Sequence, residues 1–518
     1  MNLDLIYSRP AKTAAQLSEQ AADRHRFLAK RVLLTGEPEV LNTFNGRNCF
    51  LDAVGLLLRI CPNITIHIPA ASQDLRVMSQ LFSKRIAFGP GLEYCDQIDD
   101  VASFDAILSV GTAVNPGLPW TTINSNGWLA RVSSGTRALP ADVGMENPVG
   151  ALAAASLGIG EVFKRLIILR PERGELLDGF SFSLRSYRAG ETDCGPELPS
   201  PVDVDLLLVG AGTIGNGVVR LLSQLPCRGR VEIVDPQAYG EENLGTCILM
   251  GPQDSGASKA KTLAEHLRGP LLRVDGFEMT FEEYAREARA IPEVVLNGLD
   301  NISARHQVQR TLWPDIILDG AIGDFTCQVS RHPWPDDVAC LICLFREPAG
   351  AAAEVLQMQA TGLGLERVSL PDSLVAASDV EKAPGEKQDF LRSRIGRPIC
   401  SVIQEGIALK ISAEQQQKGF EPSVPFTACF SACMVVAEMI AHLMKWPSVL
   451  APRFQFDFLM GPAYGQELPQ ARRAGCICAR HKNIDHIRAA RRGEAIISQG
   501  PSSLTLQDQS DQPRPAIG

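Results

Sequence analysis

Three groups of residues in this chain have the types and spacing to do chemistry. The first lies at the end of an apolar run, Asp205-Leu-Leu-Leu-Val209. There Gly210-Ala-Gly212-Thr-Ile-Gly215 leads into a helical stretch, Asn216 to Leu225, and then into a second apolar run, Arg230-Val-Glu-Ile-Val234, that ends on Asp235. Strand, Gly-rich turn, helix, strand and acid is the order of a mononucleotide-binding βαβ unit. The glycines let backbone close on a phosphate, and the acid can bond ribose hydroxyls. The unit alone does not separate NAD from ATP. The second group is cysteine pairs: Cys340-x-x-Cys343 is half of a tetrahedral metal site, and Cys476-x-Cys478, with His481 close behind, is a candidate other half. Reduced pairs without metal are the alternative. The third is Cys400, the one cysteine between Leu344 and Ala428, where the nearby Arg397 favours the nucleophilic thiolate. A small buried core residue is the plainer reading of a lone cysteine. Cys429 and Cys433, four apart on an apolar helix, read as packing.

These groups need a frame, and the chain is long enough to build one. Its 518 residues exceed the ~100–200 of an average domain several-fold, so a two-lobed or multidomain protein is the starting expectation. With 45% hydrophobic and 21% charged residues, collagen-like, coiled-coil and wholly disordered classes are excluded. A net charge of −9 gives no support for a protein that coats nucleic acid. The 14 cysteines, without a leader pattern over Met1 to Arg24, suggest reduced thiols and a cytoplasmic setting. No membrane span is expected: the apolar stretch Pro148 to Gly160 is broken by Glu161 and reads as a buried helix. The polar tail 496–518 reads as disordered from its composition.

The first 170 residues repeat the second half in degenerate form. Ile64-Thr-Ile66-His-Ile68-Pro69 parallels Val231-Glu-Ile233-Val-Asp235-Pro236, and Phe104 to Leu108 parallels Pro292 to Leu296. Asn126-Gly-Trp128 matches Gly323-Asp-Phe325, and Pro148 through Glu161 to Leu166 lies without gaps on Pro425 through Glu438 to Leu443. Where the second half has Gly210, Gly212 and Gly215, the first is expected to have Asn45-Gly-Arg47-Asn-Cys49, whose side chains would obstruct a phosphate. The first half therefore reads as a pseudo-site. Fourteen residues separate Ser133 from Pro148, whereas 94 separate Ser330 from Pro425, so the second half carries an insertion of about 80 residues that contains Cys400. The expected architecture is α/β: an inactive Rossmann-like half (1–170), a linker (171–200), an active half (201–345), the insertion (346–424) and a return to the active half (425–495).

Further along the second half come Glu242-Asn243-Leu244-Gly, Ser255-Gly-Ala-Ser-Lys259-Ala, Val295-Leu-Asn-Gly-Leu-Asp300-Asn301 with Arg305, and Cys340-Leu-Ile-Cys343. With the Gly-rich turn and Asp235, this order resembles the superfamily of ThiF, MoeB and the ubiquitin-activating enzymes. An inactive half fused to an active one resembles the ubiquitin-activating enzymes and their bacterial relatives in ubiquitin-like conjugation operons, the BilD type. The resemblance implies ATP and magnesium as cofactors and adenylation of a C-terminal carboxylate. It implies that Lys259 neutralises phosphate charge, Asn243 donates to phosphate or ribose, Asp300 holds magnesium beside Asn301, Asp235 holds the ribose and Arg305 orients the loop or the phosphates. It further implies structural zinc on Cys340, Cys343, Cys476 and Cys478, and a thioester on Cys400 that passes to a ubiquitin-conjugating-like enzyme. The modifier itself would be a ubiquitin-like protein; nucleic acid and membrane are not expected partners.

Two positions depart from the family pattern. The arginine that usually follows Asn-Leu-x is replaced by Thr246, then Cys247, and the second acid after Asp235 is Gln237. Arg26, in Arg24-His-Arg26-Phe-Leu before the first degenerate strand, is the expected substitute cation. Two fused halves supply the pseudo-dimer that single-half relatives form by homodimerisation, so a homodimer is optional. Three other readings stand beside the main one: an enzyme that stops at the adenylate, a Rossmann dehydrogenase, and a scaffold that binds a modifier without turnover.

Overall fold

The structure, a computed structural model, describes residues 3–18, 24–88, 91–287, 290–323, 325–335, 338–345, 351–370, 373–397, 399, 402–403, 406, 424–448, 452–461, 466–467, 471–473 and 475–492. Cys400 and the tail beyond 492 lie outside them.

Two sheets of the same design carry the fold. The first contains β1 (Arg31–Gly36), β2 (Asn63–His67), β3 (Leu92–Cys95), β4 (Ala106–Val110), β5 (Trp120–Asn126), β6 (Leu129–Ser133) and β7 (Phe180–Ser183), in the spatial order β3-β2-β1-β4-β5-β6-β7. The second contains β8 (Val202–Val209), β9 (Cys227–Val234), β10 (Leu272–Phe277), β11 (Val294–Asn297), β12 (Ile316–Gly323), β13 (Thr326–Pro333), β14 (Arg453–Asp457) and β15 (Gln466–Glu467). Its order, β10-β9-β8-β11-β12-β13-β14-β15, repeats the first and adds one edge strand. In each sheet the first five strands in this order pair in parallel and the rest antiparallel. The central parallel strands β1, β4, β8 and β11 carry runs of buried Val, Ile and Leu because both of their faces are covered.

The repeat extends to details. The β5–β6 and β12–β13 hairpins turn at Asn126–Leu129 and Gly323–Thr326. The Trp128 carbonyl accepts from Leu184 N at 2.9 Å, and the Phe325 carbonyl accepts from Phe458 N at 2.9 Å. Each half has a 19-residue core helix with proline in its first turn, where a missing N–H costs nothing: α7 (Pro148–Leu166) in the first and Pro425–Leu443 in the second. These two helices pack on one another, with the Phe163 and Phe426 rings 5.8 Å apart. Each holds a buried acid at the matching turn. Glu161 accepts from Lys164 Nζ at 2.7 Å and Leu177 N at 2.9 Å; Glu438 lies 3.3 Å from Arg331 Nε. Burial pushes both carboxyl groups up against these partners. Pro425–Leu443 is long and apolar enough to cross a membrane, yet it is buried in the core.

Around the first sheet lie α1 (Leu3–Ile6), α2 (Ser8–Leu17), α3 (Arg24–Leu28), α4 (Pro38–Leu41), α5 (Phe44–Ile60) and α6 (Gln73–Ile86); α8 (Thr213–Leu222) and α9 (Lys259–Leu267) belong to the second. The junction between halves buries α5 and α8 as well, and Arg220 Nε of α8 pairs with the fully buried Asp52 of α5 at 2.7 Å.

Four boundaries differ from the sequence reading. Segment 171–200, expected as a linker, supplies β7 and so completes the first sheet. The strand before the Gly-rich turn starts at Val202 and the next at Cys227, and α8 begins at Thr213 rather than Asn216. The missed strand segments, Phe180–Ser183 and Val202–Asp205, alternate apolar and polar residues over only four positions, too few to stand out from the flanking polar sequence. Within the described residues of the insertion lie the short helices Ala351–Thr361, Leu365–Val368, Ala377–Lys382 and Gly385–Arg392, with a small core that includes Leu363, Val375, Leu391 and Ile399.

Candidate functional site

The site grows from the C-terminal ends of β8 and β11, the point where strand order reverses and an open crevice forms. Gly210 has φ +95°, and a Cβ on it would lie 3.1 Å from the Gly298 carbonyl carbon, so the chain turns here only without a side chain. A Cβ on Gly215 would lie 2.4 Å from the Gly210 oxygen, which ties the first turn of α8 to the loop. Gly212 is different: a Cβ there meets nothing within 4 Å. Its missing side chain leaves room above the N-terminus of α8, where unpaired N–H groups face an incoming anion. Asp235, buried at the end of β9, accepts from Ala211 N and Gln237 N, both at 2.8 Å. A carboxylate has about four acceptor positions, so two bonds that shape the loop leave capacity for hydroxyls.

Asn243 lies in the short 3₁₀ turn Glu241–Gly245, where its Oδ1 accepts from Gly240 N at 2.9 Å and leaves the amide NH₂ to face outward chemistry. Lys259 opens α9 and is buried; its Nζ is 2.7 Å from Gln237 Oε1 and 5.9 Å from the Tyr239 ring centroid. No described carboxylate forms an ion pair with it. Gln237, the departure from the family pattern, thus gives Lys259 a neutral partner. Asp300 is exposed just past β11, two residues after the Gly298 contact. Asn301 caps the Ile302–Thr311 helix, accepting from Ala304 N at 2.7 Å. Arg305 points inward: its Nε is 3.0 Å from the fully buried Asp319 and its guanidinium lies 4.4 Å over the Phe345 ring. These contacts give Asn301 and Arg305 work in holding the Asp300 loop.

Arg26 stands exposed on α3. Among the described residues, a cation of the N-terminal helices beside the Asn243 turn is Arg9 of α2, a residue the sequence reading passed over. It lies near Glu242 and Cys247, and burial lowers its pKa to about 10, which keeps it charged. Ile6 and Tyr7 pack with Leu244 and Cys247 in one apolar cluster, and that placement is what brings Arg9 there. The signal available in sequence was the amphipathic 8–17 helix, whose partner lies more than 200 residues away.

At the matching place in the first half the crevice is filled. After Gly36 the chain continues as Glu37 and α4, and Glu37 Oε2 and Oε1 accept from Thr112 Oγ1 at 2.9 Å and Ala113 N at 2.7 Å. The obstruction is therefore Glu37 and an extra helical turn. Asn45-Gly-Arg47-Asn-Cys49, expected to occupy the turn, instead forms the start of α5, where Asn45 Nδ2 donates to the Met145 carbonyl at 2.7 Å and the Val143 carbonyl at 3.1 Å.

The two cysteine pairs converge. The Sγ atoms of Cys340, Cys343, Cys476 and Cys478 all lie within 4.8 Å of one another, with Cys340–Cys476 and Cys343–Cys478 at 3.6 Å. Four sulfurs at Zn–S distances of about 2.3 Å in a tetrahedron would stand about 3.8 Å apart, so the set fits zinc. Arg473 N donates to Cys343 Sγ at 3.3 Å, the kind of second contact that orients a thiolate ligand. His481 is left out of the set; it stacks on Trp334 and bonds Arg472. Cys429 and Cys433 are buried on the core helix.

An α/β protein of two like halves, the Gly-rich turn open in one and the matching crevice filled in the other, is the class that fold and site define. The ThiF family model matches residues 202–476, more than half of the chain. The chain belongs to the ThiF family. The uncharacterized protein y4jF of Sinorhizobium fredii (strain NBRC 101917 / NGR234) is 28% identical over 410 residues, 74% of this chain and 77% of that protein. Among solved structures, E. coli MccB with ATP is 13% identical with a TM-score of 0.33, the match covering 53% of this chain and 65% of that one. E. coli MccB with SeMet MccA is 14% identical with a TM-score of 0.35, covering 53% and 66%.

Proposed function

We propose that this protein activates the C-terminal carboxylate of a ubiquitin-like protein with ATP. The observation that carries the reading is Lys259, a buried cation without an ion-pair partner among the described residues, bonded to Gln237, whose N–H shares the Asp235 carboxylate with Ala211 N of the Gly-rich turn. A carboxylate oxygen of the modifier attacks the α-phosphorus, the bond to the β-phosphate oxygen breaks, and pyrophosphate leaves with an acyl-adenylate remaining. Two anions must be held together for this, which needs cations and backbone N–H donors fixed in advance. Lys259, Arg9 and the N-terminus of α8 supply them, Asp235 holds the ribose, and Asn243 donates from its turn. Asp300 would hold magnesium, which supplies charge neutralisation at the phosphates.

Cys400 is the proposed second-stage nucleophile: its thiolate attacks the acyl carbon, AMP leaves, and the thioester is handed to a ubiquitin-conjugating-like enzyme. Zinc on the four cysteines ties the C-terminal segment to the adenylation core. The test is to mix the purified chain with candidate modifiers, Mg²⁺ and ATP and to follow ATP:pyrophosphate exchange and a thiol-reversible adduct by intact mass. Cys400→Ala should keep exchange and lose the adduct. Exchange with no adduct on any cysteine would instead mark an enzyme that stops at the adenylate. Nicotinamide binding without ATP binding would overturn the proposal.

A further inference from the structure

Arg59 belongs to α5, in the half whose crevice is filled, and it is fully buried. Among the described residues, every hydrogen bond it makes goes to a backbone carbonyl. Nε and Nη2 donate to Cys247 O at 3.2 and 3.0 Å, and Nη2 also reaches Ile248 O at 3.3 Å and Met250 O at 2.5 Å. Nη1 donates to Ile86 O at 3.2 Å, at the C-terminal end of α6, where carbonyls attract a cation. The guanidinium lies 5.2 Å over the Phe88 ring. No described carboxylate forms an ion pair with it, and burial lowers its pKa only to about 10, so it remains charged at neutral pH.

Three of those four carbonyls belong to 247–250, the segment that continues the Asn243 turn. Thr246 N and Cys247 N both bond back to the Asn243 carbonyl, at 3.0 and 2.8 Å, so displacement of one moves the other. Gly55 of the same α5 helix lets Ile248 close on the helix, since a Cβ there would lie 2.9 Å from Ile248 Cγ1. A buried cation without a counter-ion is costly, and an apolar side chain would fill the space at less cost. What an apolar residue cannot do is satisfy four diverging carbonyls, and a lysine ammonium cannot span them as the planar fork does.

We propose that Arg59 is a positioning residue through which the inactive half holds the nucleotide loop of the active half. It fixes 247–250, and with them Asn243, in the geometry that receives ATP, and it adds positive potential beneath the triphosphate. The inference rests on the reading of the second half as an ATP site.

The experiment uses the full chain and Mg-ATP alone, read by titration calorimetry and by amide hydrogen exchange over 241–250. Wild type should bind. Arg59→Met should bind at least about tenfold more weakly, with faster exchange confined to that segment, and added guanidinium ion should restore part of the affinity. The control is the pair Asp52→Asn with Arg220→Met, which removes a buried link between the same halves away from the loop; it should lower thermal stability and leave ATP affinity unchanged. If Arg59→Met does not fold, Arg59→Lys, which keeps the charge and loses the fork, carries the same comparison. Wild-type affinity in a folded Arg59 variant, or an equal loss in the control pair, would overturn the inference. A wild-type chain that binds no Mg-ATP would instead overturn the ATP-site reading beneath it.

Discussion

The β1–α5 and β8–α8 connections lie at the same place in two sheets of the same order, and they do opposite things. In the second half the chain turns through Gly210 and Gly212 and leaves the helix N-terminus open. In the first, Glu37 and α4 occupy the crevice, and the glutamate accepts the donors at 112–113 that would otherwise face an anion. The surrounding core is common to both: paired 19-residue helices, each with a buried acid at the matching turn. A handful of residues at one turn thus decide which crevice stays open, while both copies share the packing of the core, and Arg59 of the first copy bonds the 247–250 carbonyls of the second.

That contrast can be broken at several points. The largest effect is expected from Asp300→Ala, which should cut ATP:pyrophosphate exchange by about 100-fold or more, while Thr112→Ala, beside the filled crevice, should leave exchange unchanged. Equal losses from both would mean that the first half is not a pseudo-site. Next come the buried acids. Glu161→Ala leaves Lys164 unpaired with no exposed surface and should cost about 3–5 kcal/mol in denaturant unfolding. Glu438→Ala should cost less, because Arg331 keeps 15% of its side chain exposed and can be partly solvated. The reverse order would show that exposure of the partner cation does not set the cost.

The glycines separate binding from stability. Gly215→Ala must push against the Gly210 oxygen and should destabilise by about 1–3 kcal/mol. Gly212→Ala, at φ −76° with open space beyond, should leave the unfolding midpoint unchanged and weaken Mg-ATP binding in calorimetry. The smallest effect concerns His332. It is buried, its Nδ1 donates to the Ala339 carbonyl at 2.5 Å and its Nε2 accepts from Ser330 Oγ at 2.9 Å, and burial lowers its pKa to about 4. An unfolded histidine titrates near 6.5, so below that pH the unfolded chain takes a proton the folded one refuses. Stability contributed by neutral His332 is present above about pH 6.5 and lost towards pH 4, at up to about 1.4 kcal/mol per pH unit. His332→Asn should flatten that part of the pH–stability curve.

Much of the frame was legible in the sequence. Local order shows in the βαβ unit, whose strands are continuous apolar runs and whose turn needs glycine. The duplication was readable at Ile64, Phe104, Asn126 and Pro148 because core strands and helices keep their apolar pattern after a site decays. The cysteine pairs were readable because thiolate ligands come at short, fixed spacings. What could not be read were groups whose role is set by distant partners. Nothing near Glu37 announces that it will fill a crevice, and nothing near Arg9 or Arg59 names a loop some 190 to 240 residues away. Segment 171–200 looked like a linker because β7 is only four residues long, and its strand character comes from pairing with β6.

Sequence by itself determined the α/β class, the two copies, the open Gly-rich turn and the cysteine pairs, since each is written in patterns of a few neighbouring residues. Only the tertiary structure decided which side chain closes the first crevice, that Lys259 bonds the neutral Gln237, and that Cys343 and Cys478 meet across 135 residues. The physical reason is that hydrogen bonds, charge balance and metal geometry depend on distance in space, and the packing of two half-molecules sets those distances.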